Sequence, residues 1–448
     1  MKRGASWREL THLKGEFQDK LSQACTLGNC CRLFALLLVA WQPFPGEYRI
    51  PLVGSALLGL TVCLRGGLAA VAASAKRLAT LLLCLLIPGL ISIPTSLAPS
   101  KSWAEIASVA MVGLAGISVL YGLRSKPDHQ WLQNGLAAVV GFWIVDGLLQ
   151  ALTGADVFGV PLRGGMVTGP FTPVILLGII VVVLTPLLLW EPLKQKNRAG
   201  FALLAGILII ATLSGQRNNL LLLAVAFTSL SFLWLKRTRL ALAAAFAAAL
   251  IIIYPFSPPL QSRLGNMINS GKEIPQLLLV LKQDPSNPKV NKQIFESLNE
   301  FSSNRWFIFD AALRMIADRP LTGVGLNAFR PAYPLYAQKI DDFRKKPPHA
   351  HNTYLEVTAE TGLVGLAGLL FGIGLGWHWL ANASRERQEI AAPYAASIAV
   401  MLFPLSTHHV LLAAFYFSIF LMVLCGFLSA LFAPELDHNI ITGTDCTE

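Results

Sequence analysis

Residues 174–190 read Val174-Ile175-Leu176-Leu177-Gly178-Ile179-Ile180-Val181-Val182-Val183-Leu184-Thr185-Pro186-Leu187-Leu188-Leu189-Trp190, a run without a charge. Lys194, Lys196 and Arg198 follow directly. A helix of about 20 apolar residues crosses the roughly 30 Å hydrocarbon layer of a bilayer. Lys and Arg collect in the loops on the cytoplasmic side. One stretch thus suggests both an element and its direction. Working outward gives twelve such runs, at about 25–41, 50–64, 78–97, 103–123, 131–152, 174–190, 199–213, 220–235, 240–255, 351–380, 390–405 and 410–432. Runs 50–64, 199–213 and 240–255 are short, so each needs flanking loop residues or a thinned bilayer to cross.

Composition agrees. The chain has 448 residues, 54% hydrophobic and 14% charged, where soluble domains carry roughly 25% charged residues. That excludes a cytosolic enzyme, a disulfide-rich secreted domain and a disordered tail. The first 24 residues are polar and no small-residue cleavage site follows the first apolar run, so no cleavable signal peptide is expected. The net charge of +11 would suggest nucleic acid in a soluble chain, but its distribution argues otherwise. Arg49, Lys101, Arg163 and Arg217 are the four basic residues of the odd-numbered short loops. The N-terminus and the even-numbered loops hold eighteen, among them Lys2, Arg3, Arg65, Arg77, Arg124, Lys194, Lys236 and Arg385. Such alternation predicts an all-α polytopic membrane protein of twelve helices with both termini cytoplasmic, and no nucleic-acid partner.

The expected organisation is a cytoplasmic segment 1–24, helices one to nine over 25–255, a large outer loop domain over 256–350, helices ten to twelve over 351–432, and a cytoplasmic tail 433–448. Loops as long as 256–350 are exempt from the charge rule. None of the seven cysteines falls in that loop, so no disulfide staples it. No internal repeat is visible, which argues against a transporter built from two related halves.

The outer side carries the candidate chemistry. Residues 303–318 read as an amphipathic helix with Trp306, Phe309, Leu313 and Ile316 on one face, capped by Ser303 or Asn304 and stopped by Pro320. Gly323 and Gly325 mark a tight turn. After the basic stretch Arg344-Lys345-Lys346 come Pro347-Pro348-His349-Ala350-His351-Asn352 and a helix running into Gly362-Leu363-Val364-Gly365. His351 then stands on the shoulder of a membrane helix, and histidine changes charge near neutral pH. Arg217 is the lone charge of Ser214-Gly215-Gln216-Arg217-Asn218-Asn219 at a helix start, where free amides already favour anions and a guanidinium adds a bidentate phosphate donor. Arg163 sits in a Gly-rich hairpin, Arg305 opens the loop helix, and Arg314 lies further along it. Any of these, taken alone, would ordinarily be a snorkelling charge. Asp146 is the clear intramembrane carboxylate and a functional candidate by default. Asp341 and Asp342 read as solvated, and no outer carboxylate cluster could hold Mg²⁺ or Mn²⁺. No metal is expected, and arginine would have to neutralise any phosphate.

These residues resemble the bacterial O-antigen ligase and O-antigen polymerase family. The resemblance rests on His351-Asn352-Thr353-Tyr354-Leu355-Glu356, on Glu360-Thr361-Gly362-Leu363-Val364-Gly365, and on Arg305-Trp306 with Pro320-Leu321-Thr322-Gly323-Val324-Gly325. Arg217 after Leu213-Ser214, and Arg163 followed by Gly169-Pro170-Phe171, add shorter pieces over roughly residues 160–380. Gln216 and Thr172 depart from the family's usual serine and asparagine.

The resemblance implies a multi-pass glycosyltransferase of the bacterial inner membrane, with its site facing the periplasm and no cofactor. The donor would be a glycan on undecaprenyl pyrophosphate. A ligase would transfer it to lipid A–core, and a polymerase to another lipid-linked repeat. A single long outer loop favours ligase; a twelve-helix lipid or glycan transporter is the reading from another class. His351 would be the catalytic base and Arg217, Arg305 and Arg163 would bind the pyrophosphate, with Asn352, Glu356 and Asp146 in support. Spacing by itself gives a different pairing. If the helix begins near Pro348, His349 and Glu356 lie seven residues apart and nearly eclipsed, while His351 shares a face with Leu355, Thr358 and Gly362. The motif selects His351; the spacing selects His349.

Overall fold

The computed structural model describes residues 26–44, 47, 49–171, 176–195, 197–233, 247–248, 251–283, 287–338, 347–406 and 414–436. The charges of the N-terminal segment, Lys196, Lys236, Arg237, Arg239, Thr172, Asp341, Asp342, the Arg344–Lys346 stretch, and residues 240–246 and 249–250 of the apolar run 240–255 lie outside these residues. The described residues are helical, joined by turns, with two isolated β-bridges and no strand. In chain order the helices are α1 Leu27–Ala40, α2 Arg49–Leu64, α3 Ala72–Ser92, α4 Pro99–Gly122, α5 Lys126–Thr153, α6 Leu177–Lys194, α7 Arg198–Leu213 and α8 Arg217–Leu233. Then follow α9 Pro258–Gln283, α10 Pro288–Phe301, α11 Trp306–Asp318, α12 Phe329–Tyr336, α13 Thr353–Ala381, α14 Arg385–Met401 and α15 Ala414–Phe432.

The chain is an all-α membrane protein. Among the described residues five helical stretches are long and apolar enough to cross a bilayer: Gly67–Thr95, Pro99–Gly122, Lys126–Thr153, Leu177–Lys194 and Thr353–Ala381. Leu27–Ala40, Arg49–Leu64, Arg198–Leu213 and Tyr416–Phe432 are apolar but shorter. The stretch around 177–190 is enclosed on every side, from Leu177 to Trp190, which explains its lack of any polar stripe. Helices α6, α7, α8, α14 and α15 share its core with α4 and α5. Ion pairs join helix ends at one end of this bundle: Arg124 to Glu435 at 2.8 Å, Lys194 to Glu389 at 3.7 Å, and Arg32 to Asp128.

A second, smaller core lies over the opposite ends of α3 and α4. It is built from Ile308, Ala311, Ala312 and Met315 of α11, Phe329, Ala332 and Tyr333 of α12, and Ala350 and Ala359. The expected face of α11 is therefore rotated. Ile308, Ala311, Ala312 and Met315 point inward, and Leu313 is exposed. Two adjacent alanines let α11 approach α13 closely, a contact that the bulkier Phe309 and Leu313 would hold apart. Ser303 and Asn304 do not cap α11. Both have positive φ (57° and 61°) and reverse the chain after α10, while Ser302 Oγ accepts the Arg305 amide at 3.2 Å.

Helix α13 is broken at Gly362 (φ 68°, ψ −166°). A break frees carbonyls that need partners, and the Pro320–Gly325 turn supplies them. Val324 N–H donates to Ala359 O at 2.9 Å and Gly325 N–H to Glu360 O at 2.8 Å. In return Leu363 N–H donates to Pro320 O at 2.8 Å. A Cβ on Gly362 would lie 2.1 Å from Leu321 O, so both its conformation and the space require glycine. The Glu360 carboxylate accepts from the amides of Asn327 (2.8 Å) and Phe329 (2.9 Å). Ser102 Oγ donates to Leu326 O at 2.7 Å. The loop carrying the family-like motif is thus knitted to α4 and α13 by its own backbone.

Candidate functional site

Helices α7 and α8 are joined by Ser214-Gly215-Gln216, a link tight enough to need φ +68° at Gly215. This holds Arg217 at the first position of α8 beside the first turns of α9. Arg217 Nη1 donates to Arg263 O at 3.2 Å and Nη2 to Phe301 O at 2.8 Å, and Nη2 also donates to Ser303 Oγ. Arg263 Nη1 returns a bond to Gly215 O at 3.2 Å. The two arginines therefore brace α9 against α8 and the α7–α8 link, Arg217 through the Arg263 carbonyl and Arg263 through the Gly215 carbonyl, and each guanidinium carries five N–H donors, more than these bonds use.

Arg305, at the head of α11, completes the cluster. Its Nε and Nε1 of the adjacent Trp306 are buried and have no hydrogen-bond partner among the described residues. Burial first, then the charges of Arg263 and Arg217, push the Arg305 guanidinium down to about 10. Burial likewise lowers Arg263. Among the described residues none of the three pairs with a carboxylate; their partners are carbonyls and a hydroxyl. Three cations gathered without counter-charge repel one another in a poorly solvated place. An anion there would relieve both the repulsion and the unspent donors.

The other sequence candidates fall around this cluster. Arg163 is exposed on a hairpin closed by the Arg163 and Met166 backbones. The hairpin abuts the cluster's scaffold: a Cβ on Gly165 would sit 3.4 Å from Pro259, and one on Gly215 would sit 3.0 Å from Met166. Asp146 is buried in α5 and holds this loop, accepting Val157 N–H at 2.8 Å. One turn on, Gln150 Oε1 accepts from Thr168 (2.8 Å) and Gly169 (2.9 Å). Arg314 is spent on Asp310, one helical turn back, at 2.8 Å.

The histidine segment corrects the helix start. Helix α13 begins at Thr353, not near Pro348, because Asn352 Oδ1 accepts the amides of Tyr354 and Leu355, each at 3.1 Å. His349 and His351 both precede the helix, so neither the eclipsed His349–Glu356 pair nor a helical face shared by His351 and Leu355 exists. Glu356 instead reaches back to accept Ala350 N–H at 2.6 Å. Asn352 Nδ2 donates to Pro404 O at 2.7 Å and Ser406 O at 3.2 Å. Between these two pins His351 adopts φ +56°, and its ring lies 4.3 Å from that of His349, centroid to centroid. Ala350, between the histidines, is buried in the same small core as Ile308, three residues after Arg305. One core therefore carries both the histidine loop and the start of α11.

Arg263 was not among the sequence candidates. The signal for it was slight: Pro258-Pro259 marks a helix start, which sets Arg263 in the early turns facing the α7–α8 link. Among the described residues no group of three or more His, Cys, Asp or Glu could hold a metal ion.

A search of curated proteins found no match to this chain. Residues 200–370, which contain Arg217, Arg263, Arg305, both histidines and the Gly362 break, match a family model described as O-antigen ligase.

Proposed function

We propose that this protein is an O-antigen ligase, moving a glycan from undecaprenyl pyrophosphate to lipid A–core at the periplasmic face of the inner membrane. The single observation that carries the reading is the Arg217–Arg263–Arg305 cluster, without a carboxylate partner among the described residues, with Arg305 at the head of a helix whose small core also holds the paired-histidine loop, all within the segment that matches the O-antigen ligase model. In the proposed step the acceptor hydroxyl attacks the anomeric carbon opposite the pyrophosphate. The carbon–oxygen bond breaks with its electron pair going to the phosphate oxygen, and the hydroxyl proton passes to the His351 imidazole. Attack from the opposite side inverts the anomeric centre. Arginines aimed at the leaving oxygens stabilise charge as it develops. A cleft of about 290 Å³ among α3, α13, α14 and α15, lined by Leu81, Tyr354, Leu369, Ile373 and Phe420, suits a hydrocarbon chain. Tyr354, in the first turn of α13, is the lining residue nearest in sequence to the histidine loop.

Deletion of the gene followed by lipopolysaccharide gels tests the reading. Bare core with accumulated lipid-linked polymer is expected. Core bearing a single repeat would make the protein a polymerase instead, and an unchanged ladder would refute both.

The reading includes twelve crossings with the 256–350 region outside, supported by the eighteen-to-four charge asymmetry. Reporter fusions at residues 196 and 290 should fall in opposite compartments; a shared compartment overturns the topology. It also includes metal independence, since arginine supplies the positive charge. Turnover should persist in excess EDTA, and loss restored by Mg²⁺ would count against it.

A further inference from the structure

We propose that Arg263 makes the anion site one of three guanidinium groups, matched to the charge of the departing polyprenyl pyrophosphate rather than to that of the glycan-bearing donor. This rests on the functional reading above and extends it to a residue and a charge state.

In the donor each phosphate is a diester and holds about one negative charge. When the glycosidic carbon–oxygen bond breaks, the terminal phosphate gains the bonding pair, and its second ionisation lies near 6. The leaving group then carries about three negative charges at neutral pH. A site of two arginines would balance the donor; a site of three is complete only once the bond has broken. Binding that strengthens along the reaction coordinate is the kind that accelerates it.

The geometry supports counting Arg263 with the other two. Its Nη1 is anchored on Gly215 O at 3.2 Å, on the link that delivers Arg217, and its own carbonyl receives Arg217 Nη1. The Arg263 guanidinium itself meets only a neutral carbonyl in these bonds, so its charge stays available. Arg305 feels both neighbours, with Arg263 ahead of Arg217. The two buried donors at the head of α11, Arg305 Nε and Trp306 Nε1, have no acceptor among the described residues. Buried donors in native structures are ordinarily satisfied, and a second phosphate would bring additional acceptor oxygens. Ordinary helix bracing would not need three cations: the Arg217 contacts to Phe301 O and Ser303 Oγ already tie α8 to the α10 end.

The test is equilibrium binding of polyprenyl pyrophosphate and polyprenyl monophosphate to the purified full chain in detergent. The unaltered protein should prefer the pyrophosphate by tenfold or more. Arg263→Gln should cut that preference to about threefold or less, with monophosphate affinity held within about twofold. Arg263→Lys keeps a charge and can still reach Gly215 O, so it should retain most of the preference. A folded Gln variant with undiminished preference overturns the proposal, and so does a folded Lys variant with none. If Arg217→Gln and Arg305→Gln weaken binding of both lipids while Arg263→Gln does not alter the preference, only the three-arginine proposal fails. If none of the three substitutions changes the binding of either lipid, the arginine anion site itself is wrong.

Discussion

Arg217→Lys should reduce transfer almost as far as Arg217→Ala, by about 10²–10³-fold, the cost of removing one oriented donor to a developing oxyanion. Lysine keeps the charge, so a purely electrostatic role would predict a mild effect. The structure argues against mildness. One planar group reaches Arg263 O, Phe301 O and Ser303 Oγ together. These three contacts tie it to the α9 and α10 backbones and to the turn after α10, and aim whatever N–H remains. A lysine ammonium is a compact point charge on a flexible stem and cannot hold that fork. The substitution should therefore misalign the charge as well as loosen the bracing. Transfer measured in membranes at equal protein abundance separates these effects from simple loss of protein. Normal ligation by the Lys variant would reduce Arg217 to a source of charge. Ser303→Ala offers a graded companion, since it removes one of the three contacts and should cost about tenfold or less.

The helices were legible in the sequence because a bilayer admits little else. Predicted runs 103–123 and 199–213 correspond to Pro99–Gly122 and Arg198–Leu213. Ends were harder to read, because side chains near the ends fix them. Helix α5 starts at Lys126 rather than near 131, where Ser125 and Asp128 form a capping box. Helix α13 starts late because Asn352 captures two amides, a local bond that outweighs the tolerance of a first turn for Pro348. Arg217 stood out as the lone charge of its loop and Arg305 as the residue that opens the loop helix, and the fold sets them in one cluster. Arg263 lay in a polar helix among ordinary charges. Only the tertiary meeting of α9 with the α7–α8 link distinguishes it. The α11 face was misjudged for a related reason: stripe counting rewards large apolar residues, whereas close helix contact is made through Ala311 and Ala312.

The two histidines should separate sharply, with loss of His351 lowering transfer by about 10²–10⁴-fold, the contribution of a positioned general base. Loss of His349 should leave most activity. The helix-register argument for His349 disappears once α13 begins at Thr353. What remains is how each ring is held. His351 sits directly between two fixed points, the Ala350 amide on Glu356 and the Asn352 side chain on Pro404 O. Its φ of +56° is a conformation that few side chains adopt without cost. Strain maintained by surrounding bonds is a pattern common at functional positions. His349 adjoins the Ala350 pin alone, outside the pair, and contributes a neighbouring ring at 4.3 Å. Alanine at 351 would confound two effects, because it removes the imidazole and also bears the left-handed backbone poorly. His351→Asn is the cleaner variant, since asparagine accepts that region more readily. It should fold, bind polyprenyl pyrophosphate through the arginines as tightly as the unaltered chain, and fail to transfer. A His351→Asn protein that transfers normally, alongside an inactive but folded His349→Ala, would make His349 the base and leave His351 as the hinge that positions it.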